Sequence, residues 1–307
     1  MRWKWLGWST AGLFLAGALG LLGYAMFIEP RRLTVERHEV DLPLWGDSGR
    51  PVKVALVADL HAALWEGGWV DRIVRTVQEE HPDIILLLGD YRNAVCYRCS
   101  MSPEDIAEHL RPLAATAPVF YVTGNHDLLP WREQLHRAFQ KVGFICLENR
   151  TERVTLKGAP PLELRGVPYY SNLTHLPVRH AFPKEGKQEE KQREKQESKQ
   201  EDKQGDRQEG KQEENVPLVA VVHNPYHFLQ LKLGGDIVFA GHTHGGQVRW
   251  PNGSAVLAPS DCTREDLRDG WRQGAAGQPV YISRGIGMSN LPIRVNCPPE
   301  VSIITLR

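Results

Sequence analysis

The sequence predicts an α/β protein with layered sheets flanked by helices, preceded by one transmembrane helix. Three features predict it: an uncharged run near the N-terminus, a series of short apolar segments rich in Val, Ile and Leu, and helical periodicity between the early segments. Short apolar runs bounded by turn residues are typical of buried strands. Such strands alternating with amphipathic helices indicate an α/β architecture.

The composition indicates a globular protein and gives no sign of a nucleic-acid partner. The 307-residue chain is 41% hydrophobic, enough for a substantial core. Its formal net charge is zero, whereas nucleic-acid binders usually carry a basic face. Five cysteines cannot all pair internally. For Cys96 and Cys99, a zinc half-site, a redox pair and a disulfide are alternatives, but we expect a loop with two incidental cysteines.

The uncharged run extends from Trp5 to Ile28. As a helix it is long enough to cross a hydrocarbon core of about 30 Å, whereas a signal peptide has an apolar region of roughly 7 to 15 residues. We therefore predict that residues 1–30 are a single-pass anchor in the cell membrane, followed by one domain over residues 31–307. Basic residues flank both ends of the run, so the positive-inside rule discriminates weakly. We expect the domain on the extracytoplasmic side.

Six apolar segments of strand length follow the anchor. They are residues 52–59, 83–90, 119–127, 218–225, 236–244 and 280–285. Between the early segments, apolar residues at helical spacing predict amphipathic helices around Val70–Val77, Ile106–Leu113 and Trp131–Val142. Polar residues follow the carboxyl ends of five of these strands, which is the edge where open α/β sheets bind their ligands.

These polar residues are of metal-ligand type. They comprise two carboxylates, one amide and four imidazoles, at Asp59, His61, Asp90, Asn125, His223, His242 and His244. This oxygen and nitrogen set suits Mn, Fe, Zn or Co better than calcium or magnesium. A single such residue at a strand end is usually a turn former. Seven are too many for one catalytic ion with an open position, so they predict two ions that share a bridging group.

The order of the motifs resembles a known family. The blocks DLH, GD, GNHD, the His of VVHNP and GHTHGG are similar to the signature of the calcineurin-like metallophosphoesterases, from about Val52 to the C-terminus. The C-terminal SRGIGMSNLPIRVNCPPE resembles the membrane-associated bacterial branch, which includes lipid-acting pyrophosphohydrolases. The resemblance implies a layered β-sandwich flanked by helices, with a two-metal site at its strand ends.

The resemblance also implies a role for each residue. By block position, Asp59, His61 and His244 would hold the first metal, Asn125, His223 and His242 the second, and Asp90 would bridge them. His126 would be catalytic, with Asp127 oriented behind it. The sequence departs from the family at GDYRNA, which lacks an acidic residue that many relatives carry, and at GVPYYSN (residues 166–172), where the branch often has an aspartate-rich loop. These departures concern the substrate contacts and leave the metal ligands intact.

Together these features predict a membrane-anchored, dinuclear metal-dependent hydrolase of phosphoesters or pyrophosphates. A metal-bridging hydroxide would attack phosphorus in line. His126 is the candidate acid for the leaving group, and a structural histidine is the alternative. The expected partners are a membrane and a phosphorylated substrate, for which a lipid-borne phosphate is one candidate. The alternatives are a non-catalytic metal-binding scaffold on the same fold and a metal-storage or sensor module.

A low-complexity insertion at about residues 184–215 separates the third and fourth metal blocks. Residues 187–214 repeat a tetrapeptide with a basic residue followed by Gln and contain no apolar residue. A helix of this composition has no face to bury. We therefore predict a solvated surface insertion, with a partner-binding segment as the alternative.

Overall fold

The computed structural model describes residues 2–42, 45, 49–167, 169, 216–230, 234–256 and 269–307. The low-complexity insertion lies outside the described residues, and so does part of segment 166–172.

Two six-stranded sheets form the centre of the domain. The first contains, in spatial order, β1 (Thr34–Val40), β12 (Glu300–Leu306), β2 (Val52–Val57), β3 (Ile84–Leu87), β4 (Val119–Tyr121) and β5 (Ile145–Cys146). The second contains β10 (Gly270–Gln273), β11 (Pro279–Ile282), β9 (Ile237–Ala240), β8 (Leu218–Val222), β7 (Leu162–Val167) and β6 (Thr151–Val154). Both sheets are mixed: β2 to β5 are parallel neighbours, as are β7, β8, β9 and β11.

The central strands are buried on both faces. In β3, Ile84 and Leu86 belong to the core between the two sheets, while Ile85 and Leu87 belong to the core beneath the helices. Successive side chains of a strand point to opposite faces, so a strand covered on both sides needs a continuous apolar run. This layering explains why these segments lack the alternating pattern of a half-exposed strand.

Helices cover the outer faces of the sheets. On the first sheet lie α2 (Gly67–Glu79), α3 (Pro103–Leu110) and α4 (Trp131–Lys141), and α5 (Tyr226–Gln230) packs Phe228 on the second. Helix α2 buries the four apolar residues Val70, Ile73, Val74 and Val77, as their spacing predicts. The predicted α/β architecture, with two sheets between helices, is confirmed.

The N-terminal apolar segment is a helix. Helix α1 (Arg2–Gly23) continues into a π-helical turn (Tyr24–Ile28) and a 3-10 turn (Glu29–Arg31). Within it, Gly12–Arg31 is long and apolar enough to cross a membrane, although a signal sequence near an N-terminus has the same properties. Its end packs on the domain, where Ala25 and Glu29 are buried.

The structure corrects the expectation for Cys96 and Cys99. The two residues form a disulfide and are not incidental loop cysteines. The 3-10 turn Tyr97–Cys99 folds the chain back so that the two Cα atoms lie 5.2 Å apart, within the usual range for a disulfide. Sequence spacing alone does not show this turn. Among the described residues, Cys146 and Cys297 are free.

Candidate metal centre

The seven predicted metal ligands meet at one edge of the sandwich. Asp59 and His61 follow β2, Asp90 follows β3, and Asn125 follows β4, while His223 follows β8 and both His242 and His244 follow β9. Because parallel strands of a sheet end at the same edge, these loops come together. The two sheets thus contribute ligands from opposite sides of the site.

The side chains form two buried groups. Asp59, His61 and His244 make one group and Asp90, His223 and His242 the other, and the ligand atoms within each group lie within 4.8 Å of one another. Asn125 joins the second group, because its Oδ1 is 3.0 Å from His223 Nε2. Each group holds enough oxygen and nitrogen ligands for one transition-metal ion.

Asp90 lies between the two groups. Its Oδ2 is 3.2 Å from His223 Nε2 in the second group and 3.6 Å from His61 Nε2 in the first. A carboxylate in this position can contact two ions at once. The fit to a dinuclear centre therefore depends on Asp90 more than on any other ligand.

Hydrogen bonds at the outer ring nitrogens orient two of the imidazoles. His61 Nδ1 is 2.7 Å from the carbonyl of Arg92, and His223 Nδ1 is 2.8 Å from the carbonyl of Leu88. A carbonyl only accepts, so each Nδ1 carries a proton, and each Nε2 is the nitrogen that faces the centre and can bind a metal ion. Metal-binding histidines have this arrangement.

The backbone at the ligands is strained. Asp59, His61, Asp90, His242 and His244 all have positive φ angles, between 43° and 72°. Residues other than glycine rarely adopt this left-handed region, which costs of order 1–3 kcal/mol each. Such outliers cluster at functional sites, because the surrounding fold holds them in place. Here the strained conformations turn the side chains inward at the strand ends.

Two glycines allow the ligand loops to approach each other. A Cβ at Gly241 would lie 2.7 Å from Asp59 Oδ2, and one at Gly124 would overlap the carboxylate of Asp90. Real Cβ atoms do not approach other atoms so closely. A side chain at either position would therefore displace a ligand carboxylate.

Burial and charge set the protonation of the site. Burial lowers the pKa of His61 to about 4 and holds that of His244 well below its ordinary value. Burial raises the pKa of Asp59 to about 6. Burial also acts to lower the pKa of His223, but the charge of Asp90 outweighs it and raises that pKa to about 9. The negative charge of Asp90 thus favours a positive charge at His223.

His126 lies beside the ligand set with a different partner from the expected one. The Oη atom of Tyr97 is 2.8 Å from His126 Nδ1. Asp127, which we expected behind the imidazole, instead accepts the backbone N–H groups of Gly124 and of residues 90–92. The backbone turn after β4 directs the Asp127 carboxylate toward the loop after β3. Asp127 therefore holds the two ligand loops together. Burial lowers the pKa of His126.

Sequence reasoning missed two residues that contact the site. Tyr97 is one, and its only sequence signal is the flanking CxxC. Arg294 is the other: its side chain is fully buried, and its Nη2 is 3.5 Å from His244 Nδ1 and 2.6 Å from the carbonyl of Gly287. An arginine so deeply buried in a C-terminal loop indicates a structural role, but the sequence does not reveal its burial.

Residues 52–246 match the model of the calcineurin-like phosphoesterase family. The chain belongs to this family. The matched region is more than half of the chain and contains all seven ligands and His126. This phosphoesterase is therefore a metal-dependent enzyme, with two buried groups of Asp and His side chains that fit a pair of metal ions.

Relatives with similar sequences match nearly the full length of this phosphoesterase. It is 28% identical over 290 residues to phosphodiesterase YaeI of Escherichia coli strain K12, covering 92% of each chain. It is 22% identical over 308 residues to the uncharacterized metallophosphoesterase YkuE of Bacillus subtilis strain 168, covering 96% of this chain and 94% of the relative. Among solved structures, a dimetal phosphatase from Danio rerio matches with a TM-score of 0.43 and 13% identity, covering 77% of this chain and 88% of that chain.

Proposed function

We propose that this phosphoesterase is a membrane-anchored, dinuclear hydrolase of phosphodiesters, other phosphoesters or pyrophosphates. The position of Asp90 between two buried ligand groups is the observation that carries the proposal. Phosphodiesters come first because a relative that covers 92% of the chain is named a phosphodiesterase.

The ligand roles follow from the two groups. Asp59, His61 and His244 would hold one ion, Asn125, His223 and His242 would hold the other, and Asp90 would contact both. Bound there, Mn, Fe, Zn or Co ions would polarise the phosphoryl oxygens, neutralise developing charge and activate water as the nucleophile. The residues of the chain would fix the positions of these charges before the substrate binds, and such preorganisation is a large part of phosphoryl-transfer catalysis.

His126 is our candidate for the acid that protonates the leaving group. Its backbone N–H donates to Asp90 Oδ1 at 2.8 Å, which holds the residue beside the metal groups. Its Nδ1 is hydrogen-bonded to the hydroxyl of Tyr97, so Nε2 is the nitrogen that can donate a proton to a substrate oxygen. A hydroxyl can donate to a neutral imidazole or accept from a protonated one. Tyr97 can therefore support His126 in both protonation states.

Contacts between the helix end and the site support the anchored arrangement. Arg31 pairs with Glu66 at 2.7 Å, and Glu66 lies on the loop that follows His61. Glu29 Oε1 accepts the N–H of Cys297 at 3.0 Å, and Cys297 Sγ is 3.3 Å from the carbonyl of His244. The end of the apolar helix is thus joined to two ligand loops. Insertion of this helix in a bilayer would keep the metal edge close to the lipid surface.

Exposed apolar side chains near the ligands support a substrate at that surface. Trp65 is 72% exposed, and Leu129 and Trp250 are each 59% exposed. They lie on the loops that follow His61, His126 and His244. Tryptophan side chains favour the membrane interface. These side chains favour a lipid-borne phosphoester over a soluble one.

A non-catalytic scaffold on the same fold is the alternative. Such a scaffold would be expected to lack some of the candidate metal ligands, but all seven are present. A metal store or sensor would have no use for an acid beside the metals, yet His126 occupies that place with its own hydrogen-bond partner. The complete set of ligands and acid therefore favours catalysis.

Phosphate-release assays on a substrate panel test the proposal. Full-length protein loaded with Mn, Fe or Zn would be offered lipid and soluble monoesters, diesters and diphosphates, with the lipids in mixed vesicles. We expect hydrolysis of at least one class, fastest on a lipid substrate, and none by Asp90→Asn. Asparagine keeps the acceptor for the His126 N–H but removes the charge. A metal-loaded protein that hydrolyses nothing in the panel would favour the scaffold.

A further inference from the structure

A second cluster of metal-ligand side chains lies at the β5 edge of the first sheet. It consists of His136 on α4, Cys146 at the end of β5 and Glu148 just beyond it. The ligand atoms of all three lie within 4.8 Å of one another, and all three residues are partly buried. None of them belongs to the dinuclear centre. The cluster also contains a sulfur donor, which the dinuclear centre lacks.

Hydrogen bonds with Tyr121 and Thr123 orient two of the three metal-ligand side chains. The Oη of Tyr121 is 2.9 Å from His136 Nδ1. The N–H of Thr123 donates to Glu148 Oε1 at 3.0 Å, and the Thr123 hydroxyl binds the same oxygen. His136 Nε2 and Glu148 Oε2 remain and face each other at 3.9 Å. Metal sites have this arrangement, in which each ligand atom is aimed by a hydrogen bond at its other end.

An ion pair between His136 and Glu148 does not explain the cluster. Burial lowers the pKa of His136, which disfavours the charged imidazolium that an ion pair needs. An ion pair would also not include the thiol of Cys146, which contacts the hydroxyl of Tyr121 and the backbone N–H of Glu148. A neutral imidazole and a carboxylate beside a thiol are instead the donors of a zinc site.

We propose that His136, Cys146 and Glu148 bind a third metal ion, of the class of Zn²⁺ and similar thiophilic divalent cations. Three protein ligands with water as the fourth are a common tetrahedral arrangement, in which ligand atoms lie about 3.3 to 3.6 Å apart. The three donors need to close by only about 1 Å to reach that spacing. On binding, a sulfur–metal bond replaces the S–H bond, and the proton leaves to solvent.

The position of the cluster gives the bound ion a structural consequence. Glu148 holds the N–H of Thr123, and Thr123 leads into the loop that carries Asn125 and His126. An ion held by His136 and Cys146 would join α4 and β5 to this loop. The third site would therefore stabilise the end of β4, after which Asn125 and His126 follow in the loop.

Cadmium is a suitable probe, because a thiolate bound to Cd²⁺ gives an ultraviolet charge-transfer band that oxygen and nitrogen ligands do not. Full-length protein would be stripped with a chelator under non-reducing conditions and titrated with Cd²⁺. We expect a sulfur–cadmium band that saturates at one equivalent beyond those of the dinuclear centre, with a rise in melting temperature. No band in the wild type would overturn the proposal.

Matched variants separate a built site from a single reactive thiol. Cys146→Ser should abolish the band, while Cys262→Ser, which removes the one cysteine that lies outside the described residues, should keep it. His136→Gln should weaken the cadmium affinity measured from the sulfur–cadmium band. Tyr121→Phe should weaken this affinity by about 10-fold to 100-fold, because it removes the hydrogen bond that orients His136. Circular dichroism would check the fold of each variant. A band that survives Cys146→Ser, or that keeps its affinity in His136→Gln, would overturn the proposal.

Discussion

At the scale of single residues, His126 gives the most specific prediction. His126→Ala should retain both metals, because the imidazole is outside the seven-ligand set and the backbone N–H that binds Asp90 is unchanged. Turnover of substrates with strongly basic leaving groups should fall by about 10² to 10⁴, the usual range for general acid catalysis. Aryl esters with good leaving groups should lose much less. Single-turnover kinetics on a leaving-group series would measure this dependence.

The control for this experiment is the metal content of the variant. An equal loss of rate across all leaving groups, with both metals retained, would make His126 a positioning or phosphate-binding residue. An equal loss with metal released would place it in the coordination shell. Either outcome contradicts the acid role.

Tyr97 gives a second prediction at this scale. Tyr97→Phe removes the hydroxyl bonded to His126 Nδ1 and leaves the ring over which Arg92 lies. Loss of one such hydrogen bond costs about 0.5–1.5 kcal/mol, so turnover should fall roughly twofold to tenfold. In His126→Ala, the further change Tyr97→Phe should have no effect, because the two residues act together. If the fold-loss of turnover in the double variant equals the product of the losses in the two single variants, Tyr97 acts independently of His126.

The sequence indicates the candidate metal ligands, which the structure brings together in two buried groups, better than it indicates the residues around them. Each ligand is a polar residue at the end of an apolar strand, so it can be recognised without knowing the fold. Tyr97 and Arg294 cannot, because their contacts depend on how distant loops pack. The sequence also suggested Asp127 as the partner of His126. The backbone turn after β4 directs its carboxylate to four N–H groups instead.

At the scale of elements, the sequence predicts six of the buried strands, but it does not predict the edge strands or β12, which is also buried. The segments that predict β2, β3, β4, β8, β9 and β11 are continuous apolar runs, because those strands are covered on both faces. Strand β1 (TVERHEV) is rich in charged residues and only partly buried. It lies at a sheet edge and pairs with β12 at the far end of the chain. No local pattern contains that pairing.

The end of the N-terminal helix gives a prediction at this scale. Deletion of residues 1–23 should leave domain stability unchanged, whereas deletion of residues 1–32 also removes Glu29 and leaves the buried N–H of Cys297 without its acceptor. An unsatisfied buried group costs about 1–3 kcal/mol, which lowers the melting temperature by several degrees. Thermal unfolding of the two truncations would measure the difference. Equal melting temperatures would contradict a structural role for the helix end.

At the scale of the whole molecule, the low-complexity insertion should be dispensable. Deletion of residues 187–214 should leave cooperative unfolding and turnover nearly unchanged, because the segment contains no apolar residue that could join a core. A long loop adds little closure entropy, so shortening it also changes stability little. The assays are thermal unfolding and hydrolysis of the best substrate. A tenfold fall in rate or loss of the cooperative transition would contradict this expectation.

In the whole molecule, the proposed function depends on two ions held by a shared carboxylate. Asp90 contacts both ligand groups, so its loss should remove a ligand from each and leave the repulsion between the ions uncompensated. The direct measurement is elemental analysis of Mn-loaded protein together with turnover. We expect about two ions per active wild-type chain, and Asp90→Ala should lose both metal occupancy and activity. Two ions still bound in an active Asp90→Ala protein would contradict the account.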